Sequence, residues 1–123
     1  MIMSKSSYYQ KAIDWAKKRG LSNIRANWEN FDPPSAFRRK KSDQPIVPDI
    51  TGRKAGGHGK WYVEIALKTE NKKRLISKWK LLSTLAAMRG GKLFLLAPHG
   101  HKAFAERILN TYELPHTQLV YLK

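Results

Sequence analysis

The chain has 123 residues and no cysteine, with 24 Lys+Arg against 9 Asp+Glu for a formal net charge of +15 and a pI near 10.3. Without cysteine there is no disulfide framework, thiol nucleophile or cysteine-based zinc site, and no apolar run approaches the ~20 residues of a membrane span. An apolar fraction of 41% with 4 tryptophans points to one folded domain over residues 1–123 rather than a basic tail.

The charge implies a polyanionic partner. Nucleic acid is preferred over anionic membrane because the basic residues are spread along the chain, not gathered on one amphipathic helix. The polar stretch Met1–Ser7 does not have the form of a signal peptide, so a cytoplasmic, intracellular location is the expectation.

In chain order, Tyr8 to Arg19 reads as a helix, with Tyr9, Ala12, Ile13 and Ala16 at helical spacing, Ser6 or Ser7 as cap and Gly20 as stop. Ile24 to Trp28 alternates like a first strand. Periodicity is then lost from Glu29 to Gln44, a loop carrying Arg38, Arg39, Lys40 and Lys41. Four consecutive cations are either a solvated run or a phosphate-contacting arm. Ile46 to Ile50 reads as a second strand that Pro48 confines to an edge or a bulge. The glycine-rich stretch Thr51 to Lys60 reads as a basic loop whose Arg53, Lys54 and Lys60 can touch a backbone phosphate, with His58 exposed.

Trp61 to Lys68 alternates as a third strand: Val63, Ile65 and Leu67 face one way, Tyr62, Glu64, Ala66 and Lys68 the other. Asn71 to Arg89 is the strongest helix, closed by Gly90 and Gly91, with Leu75, Trp79, Leu82 and Ala86 in one sector. Lys78 falls inside that apolar arc. It either snorkels over the surface or aims its ammonium at a site on the sheet. Lys92 to Ala97 is apolar enough for a central strand covered on both faces. His99 to Asn110 reads as a shorter helix and Thr117 to Leu122 as a last strand. His99 and His101 lack an evident third partner for zinc. The expected class is α/β or α+β, a mixed sheet flanked by helices.

Asp49 and Glu64 are separated by 14 residues on neighbouring strands joined by a hairpin-compatible loop. If those strands pair antiparallel, both carboxylates reach one end of one face. With the main-chain carbonyl of Ile65 they form an oxygen donor set suited to Mg²⁺ or Mn²⁺. Such a metal activates water and neutralises charge on a phosphate, and a lysine nearby stabilises developing negative charge.

Pro48-Asp49, then Glu64-Ile65-Ala66-Leu67-Lys68 on the next strand, then a long helix and an apolar strand, resembles the PD-(D/E)xK nuclease superfamily. That group includes restriction-type endonucleases, Holliday-junction resolvases and the small VRR-Nuc proteins. The resemblance implies a restriction-endonuclease-like α-β-β-β-α-β core and a Mg²⁺- or Mn²⁺-dependent endonuclease acting on DNA, including branched DNA. It implies Asp49, Glu64 and the Ile65 carbonyl as metal ligands. A symmetric homodimer is the economical arrangement if two strands are to be cut. The sequence departs from the pattern at Ala66, where the family lysine normally stands. Lys68 lies on the same face but about 13 Å beyond Glu64 at ~3.3 Å per residue, and Lys78 on the following helix is the other candidate. The alternative reading is a catalytically degenerate nucleic-acid-binding module on the same fold. A weaker one is an RNA-associated protein, with Trp61 and Tyr62 as stacking candidates.

Overall fold

A computed structural model of the chain describes residues 5–37, 45–54, 57 and 59–122. The elements are α1 (Ser6–Lys18), β1 (Leu21–Ala26), β2 (Ile50–Lys54), β3 (Lys60–Ile65), α2 (Lys72–Met88), β4 (Leu93–Pro98), α3 (Lys102–Thr111) and β5 (Thr117–Leu122). The strands form one sheet in the order β1-β2-β3-β4-β5. The first three pair antiparallel and the last three parallel. The class is therefore α+β with a mixed sheet, and the parallel steps are made by α2 and α3, as crossovers between parallel strands require.

The two helical layers follow from strand alternation. Phe94 and Leu96 of β4 face α1 together with Trp61, Val63 and Ile65, and meet Tyr9, Ala12, Ile13 and Ala16 there. Leu93, Leu95 and Ala97 face α2 and α3, meeting Trp79, Leu82, Ala86, Phe104 and Ile108. The apolar run of β4 is thus a strand covered on both sides, as its composition suggests. The same is true of β3, where alternation alone suggested one wet face: Tyr62, Glu64 and Ala66 are as buried as Val63 and Ile65.

Several boundaries differ from the sequence reading. Lys5, rather than Ser6 or Ser7, occupies the cap position of α1, and no side chain caps the helix there. Strand β1 starts earlier, at Leu21, and ends at Ala26. Strand β2 begins after Pro48-Asp49 instead of containing them, so Arg53 and Lys54 lie in a strand rather than a loop. The physical reason is that Pro48 has no N–H to give a ladder, while Ile46 pairs with Phe37 in an isolated antiparallel bridge. Strand β3 stops at Ile65, which leaves Lys68 outside it. Where α2 ends, Gly90 adopts φ +67°, and a Cβ on Gly91 would overlap the Lys60 carbonyl. The close approach of these two backbones is what the Gly-Gly pair serves.

Phe94 is the pivot of the α1-side core, edge-on to Trp15 at 5.0 Å and tilted against Trp61 at 4.9 Å. Phe94→Ala should cost about 3–5 kcal/mol, read as a lower urea midpoint with an unchanged slope; a loss under about 1 kcal/mol would mean that this core is not closely packed.

Candidate active site

The register Ile50↔Val63 places Asp49, one residue before β2, beside Glu64 near the end of β3. There the side chains take over from the backbone ladder. The Asp49 N–H donates to Glu64 Oε2 at 2.7 Å, and the Ile65 N–H donates to Asp49 Oδ2 at 2.9 Å. The two carboxylates are 3% and 0% exposed, so neither is a turn cap or a solvent-facing strand residue.

Two helices bring cations to them. Lys5, at the start of α1, donates to Asp49 Oδ1 and Oδ2 at 3.1 and 2.9 Å. Tyr9 lies one helical turn further on, on the same face, and donates its hydroxyl to Asp49 Oδ1 at 3.1 Å. From α2, Lys78 Nζ lies 3.0 Å from Glu64 Oε1 and 3.9 Å from Asp49 Oδ1. Lys78 therefore reaches the sheet rather than merely covering it. Glu64 Oε1 is buried and, among the described residues, has no hydrogen bond of good geometry. The Lys78 ammonium is close to it but poorly directed.

The electrostatics split the pair. Burial raises Asp49, but Lys5, Lys78 and the Ile65 N–H outweigh it and hold the carboxyl below the ordinary aspartate range. Burial and the adjacent Asp49 charge push Glu64 up, only partly offset by Lys78, Lys5 and the Asp49 N–H. Lys5 is opposed by burial, yet the two carboxylates raise it above a free lysine. Burial, then Asp49 and Glu64, keep the Tyr9 phenol protonated. Asp49 borders a cleft of about 840 Å³ that is also lined by Lys5, Tyr9, Asn27, Lys73, Arg74 and Lys78, while Glu64 lies fully buried behind it.

A divalent cation was expected here. Two converging carboxylates, one with an oxygen that lacks a directed partner, fit an oxygen-seeking ion such as Mg²⁺ that keeps several waters and completes its shell from phosphate. The Ile65 N–H points at Asp49, and a strand residue's carbonyl leaves on the same side as its N–H, so that carbonyl would be the third donor to such an ion. Among the described residues there is no group of 3 or more His, Asp or Glu side chains able to hold a metal. The donor set is thus a minimal one.

Other expected residues lie elsewhere. Lys68 is exposed and makes no ion pair with either carboxylate; its N–H donates to His101 Nδ1 at 2.9 Å. It flanks a shallower groove that also reaches Lys5 and Lys78. Asp14, the one acidic side chain of α1, is exposed and accepts from Gln10 Nε2 at 3.0 Å, away from the site. Lys54 lies over the Trp61 ring at 5.1 Å, on the α1 face, whereas Arg53 pairs with Lys60 on the α2 face. Arg38, Arg39, Lys40, Lys41 and His58 lie outside the described residues. Sequence reasoning missed Lys5 and Tyr9. Their spacing of four was a visible signal, but their shared partner, 44 and 40 positions away, was not.

No protein-family model, curated protein or solved structure matches the chain. Among the described residues, no helix is long and apolar enough to cross a membrane.

Removing Lys78 leaves Glu64 without its nearest cation. Lys78→Met should lower stability by about 3 kcal/mol at pH 7. Because the folded-state carboxyl of Glu64 titrates above its unfolded value, ionising it in place disfavours folding as pH rises through that raised value. The Lys78→Met loss should therefore shrink at pH 4, where Glu64 is protonated. Equal losses in urea melts at both pH values would show that the ion pair does not couple to folding.

Proposed function

We propose that the chain is a metal-dependent endonuclease that hydrolyses DNA phosphodiester bonds, built on the restriction-endonuclease-like core that its motifs resemble. The observation that carries this reading is the pair of buried, converging carboxylates, of which Asp49 lines a cleft ringed by cations and Glu64 lies directly behind it. Burying two acids beside each other is costly, and a cleft is where such a cost accompanies chemistry rather than stability. The order α1-β1-β2-β3-α2-β4 matches the order the resemblance implies.

In this reading Asp49, Glu64 and the Ile65 carbonyl hold Mg²⁺ or Mn²⁺, which supplies an activated water and neutralises charge on the phosphate. The Ile65 N–H and the Tyr9 hydroxyl fix the orientation of the Asp49 carboxylate, and Lys5 would have to yield part of its contact for an ion to bind. Lys78 and Lys5 lie close enough to the carboxylates to stabilise negative charge developing on the phosphate. Lys73 and Arg74 on the rim take flanking phosphates. Branched DNA and a symmetric homodimer belong to this proposal. A second reading, a non-cleaving DNA-binding module, is favoured by one observation: both carboxylates already have an ammonium within 3.0 Å.

The test is cleavage of linear, flapped and four-way-junction DNA with and without Mg²⁺ or Mn²⁺. Glu64→Gln should reduce metal-dependent cutting by a factor on the order of 100 or more while leaving salt-dependent binding in place. Tight binding without cutting under either metal would select the non-cleaving module.

The pH dependence gives an independent check. Metal binding needs Glu64 ionised, and its carboxyl is raised, so the acid limb of the cleavage profile should lie above the ~4.3 of an ordinary glutamate. Asp49, held low, should not contribute to that limb. In Lys78→Met the limb should move further up in pH. A limb at or below the ordinary glutamate range would remove Glu64 from the reaction.

A further inference from the structure

A second concentration of charge lies on the same face of the sheet as Glu64, at the opposite end of β3. Lys60 pairs with Arg53, Thr51 with Tyr62, and Arg25 with Thr51. Residues directly opposite share a face, as do alternate residues along a strand. All of these therefore lie on the face of Tyr62, which packs with Trp79 of α2.

Arg25 is there because of a defect in β1. Between Ser22 and Arg25 the register to β2 slips, and Asn23 adopts φ 51°. This is a bulge with asparagine in the left-handed region, which asparagine tolerates. The extra residue lets Leu21, Ile24 and Ala26 all reach the α1-side core. It also turns Arg25 to the same side as Arg53.

Arg89, just after α2, completes the group around a cavity of about 440 Å³, whose lining also includes Asp32 and Ser35. None of the four cations makes an ion pair with a carboxylate among the described residues. Asp32 lines the cavity without pairing to any of them. Burial, then Arg89, Arg25 and Arg53 in turn, lower Lys60 below an ordinary lysine. Like charges so placed repel, and an anion among them relieves the repulsion. Guanidinium forks from three separate elements match the oxygens of a phosphate better than those of a halide or a single carboxylate.

We propose that Arg25, Arg53, Lys60 and Arg89 form a phosphate-binding pocket that seats a backbone phosphate of the nucleic acid held at the carboxylate pair. The source of the phosphate rests on the nucleic-acid reading given above; the pocket itself does not. Lys60 and Glu64 are four residues apart on β3, about 13 Å at ~3.3 Å per residue. Duplex DNA advances about four base steps over that length at ~3.4 Å each. One strand can therefore touch both places, and the pocket would set where along the strand the carboxylates act.

Arg25, Arg53 and Arg89 are exposed, so Arg25→Gln with Arg53→Gln should leave the fold intact. Two metal-free measurements test the pocket. In ¹H–¹⁵N spectra, inorganic phosphate should give saturable shifts at the amides of Arg25, Thr51, Gly52 and Arg53. The double substitution should abolish these shifts and Glu64→Gln should keep them. In duplex-DNA titrations at about 0.15 M salt, the double substitution should weaken binding about tenfold or more and lower the salt slope by about two. Lys17→Gln with Lys18→Gln, an equal charge change on the exposed side of α1, should weaken it less than about threefold. Absence of saturable phosphate shifts overturns the pocket. Saturable phosphate binding with no preferential loss of DNA overturns the backbone source and assigns the pocket to a small phosphorylated molecule. A protein that binds DNA without cutting it leaves both measurements unaffected, so failure of the nuclease reading is read separately.

Discussion

Everything in this structure that is not ordinary core packing turns on two carboxylates placed side by side inside it. Asp49 and Glu64 are bound to each other's strands through main-chain N–H groups, and two ammonium groups compensate their charge. Those ammoniums come from opposite sides, Lys5 from the start of α1 and Lys78 from the middle of α2. The cluster therefore ties both helical layers to the end of the β2–β3 hairpin. Apolar residues of the same volume would hold that junction as well or better. The arrangement is unbalanced as well as expensive: Asp49 is held ionised while Glu64 is pushed toward its neutral form. Among the described residues Glu64 Oε1 has no directed hydrogen-bond partner, although the Lys78 ammonium lies 3.0 Å away.

The helices also determine which parts of the sheet stay open. α2 packs on β3 and β4, and α3 on β4 and β5, while α1 takes the other face. On the α2 face this leaves the β1–β2 end of the sheet without a helix over it, and Arg25, Arg53 and Lys60 emerge there. A single strand, β3, thus carries a lysine at its entry and a carboxylate near its exit on one face. The overall charge of +15 is organised locally. Lys54, adjacent in sequence to Arg53, is turned to the opposite face and spent on Trp61.

Element order was legible because β4 is apolar throughout and α2 sets Leu75, Trp79, Leu82 and Ala86 at helical spacing before Gly-Gly. The pairing of Asp49 with Glu64 was legible because a hairpin-compatible loop brings neighbouring strands together whatever the details of the turn. Strand limits were less so: Pro48 excludes its own segment from the ladder, and Thr51-Gly52-Arg53-Lys54 has loop-like composition yet forms β2. Propensity is weak where cross-strand packing decides. Burial of Glu64 was not legible, since alternation assigns a face but not what covers it. Lys5 was not legible either, because its role depends on a contact 44 positions away.

The alanine at position 66 has a packing explanation. Ala66 follows β3 on the face of Glu64 and is fully buried among Trp79, Phe104 and Ala105, where α2 and α3 close over the sheet. A lysine there would have to bury its stem and its ammonium within that apolar cluster, with overpacking and an unpaired charge as the result. A small residue lets the helices sit close. That closeness is what carries Lys78, one position before Trp79, to within 3.0 Å of Glu64. Ala66 and Lys78 are therefore linked: the small residue after the strand lets the helix sit close, and the helix packed against it supplies the charge beside Glu64. Lys68, beyond the end of β3 and exposed, takes no part in that exchange.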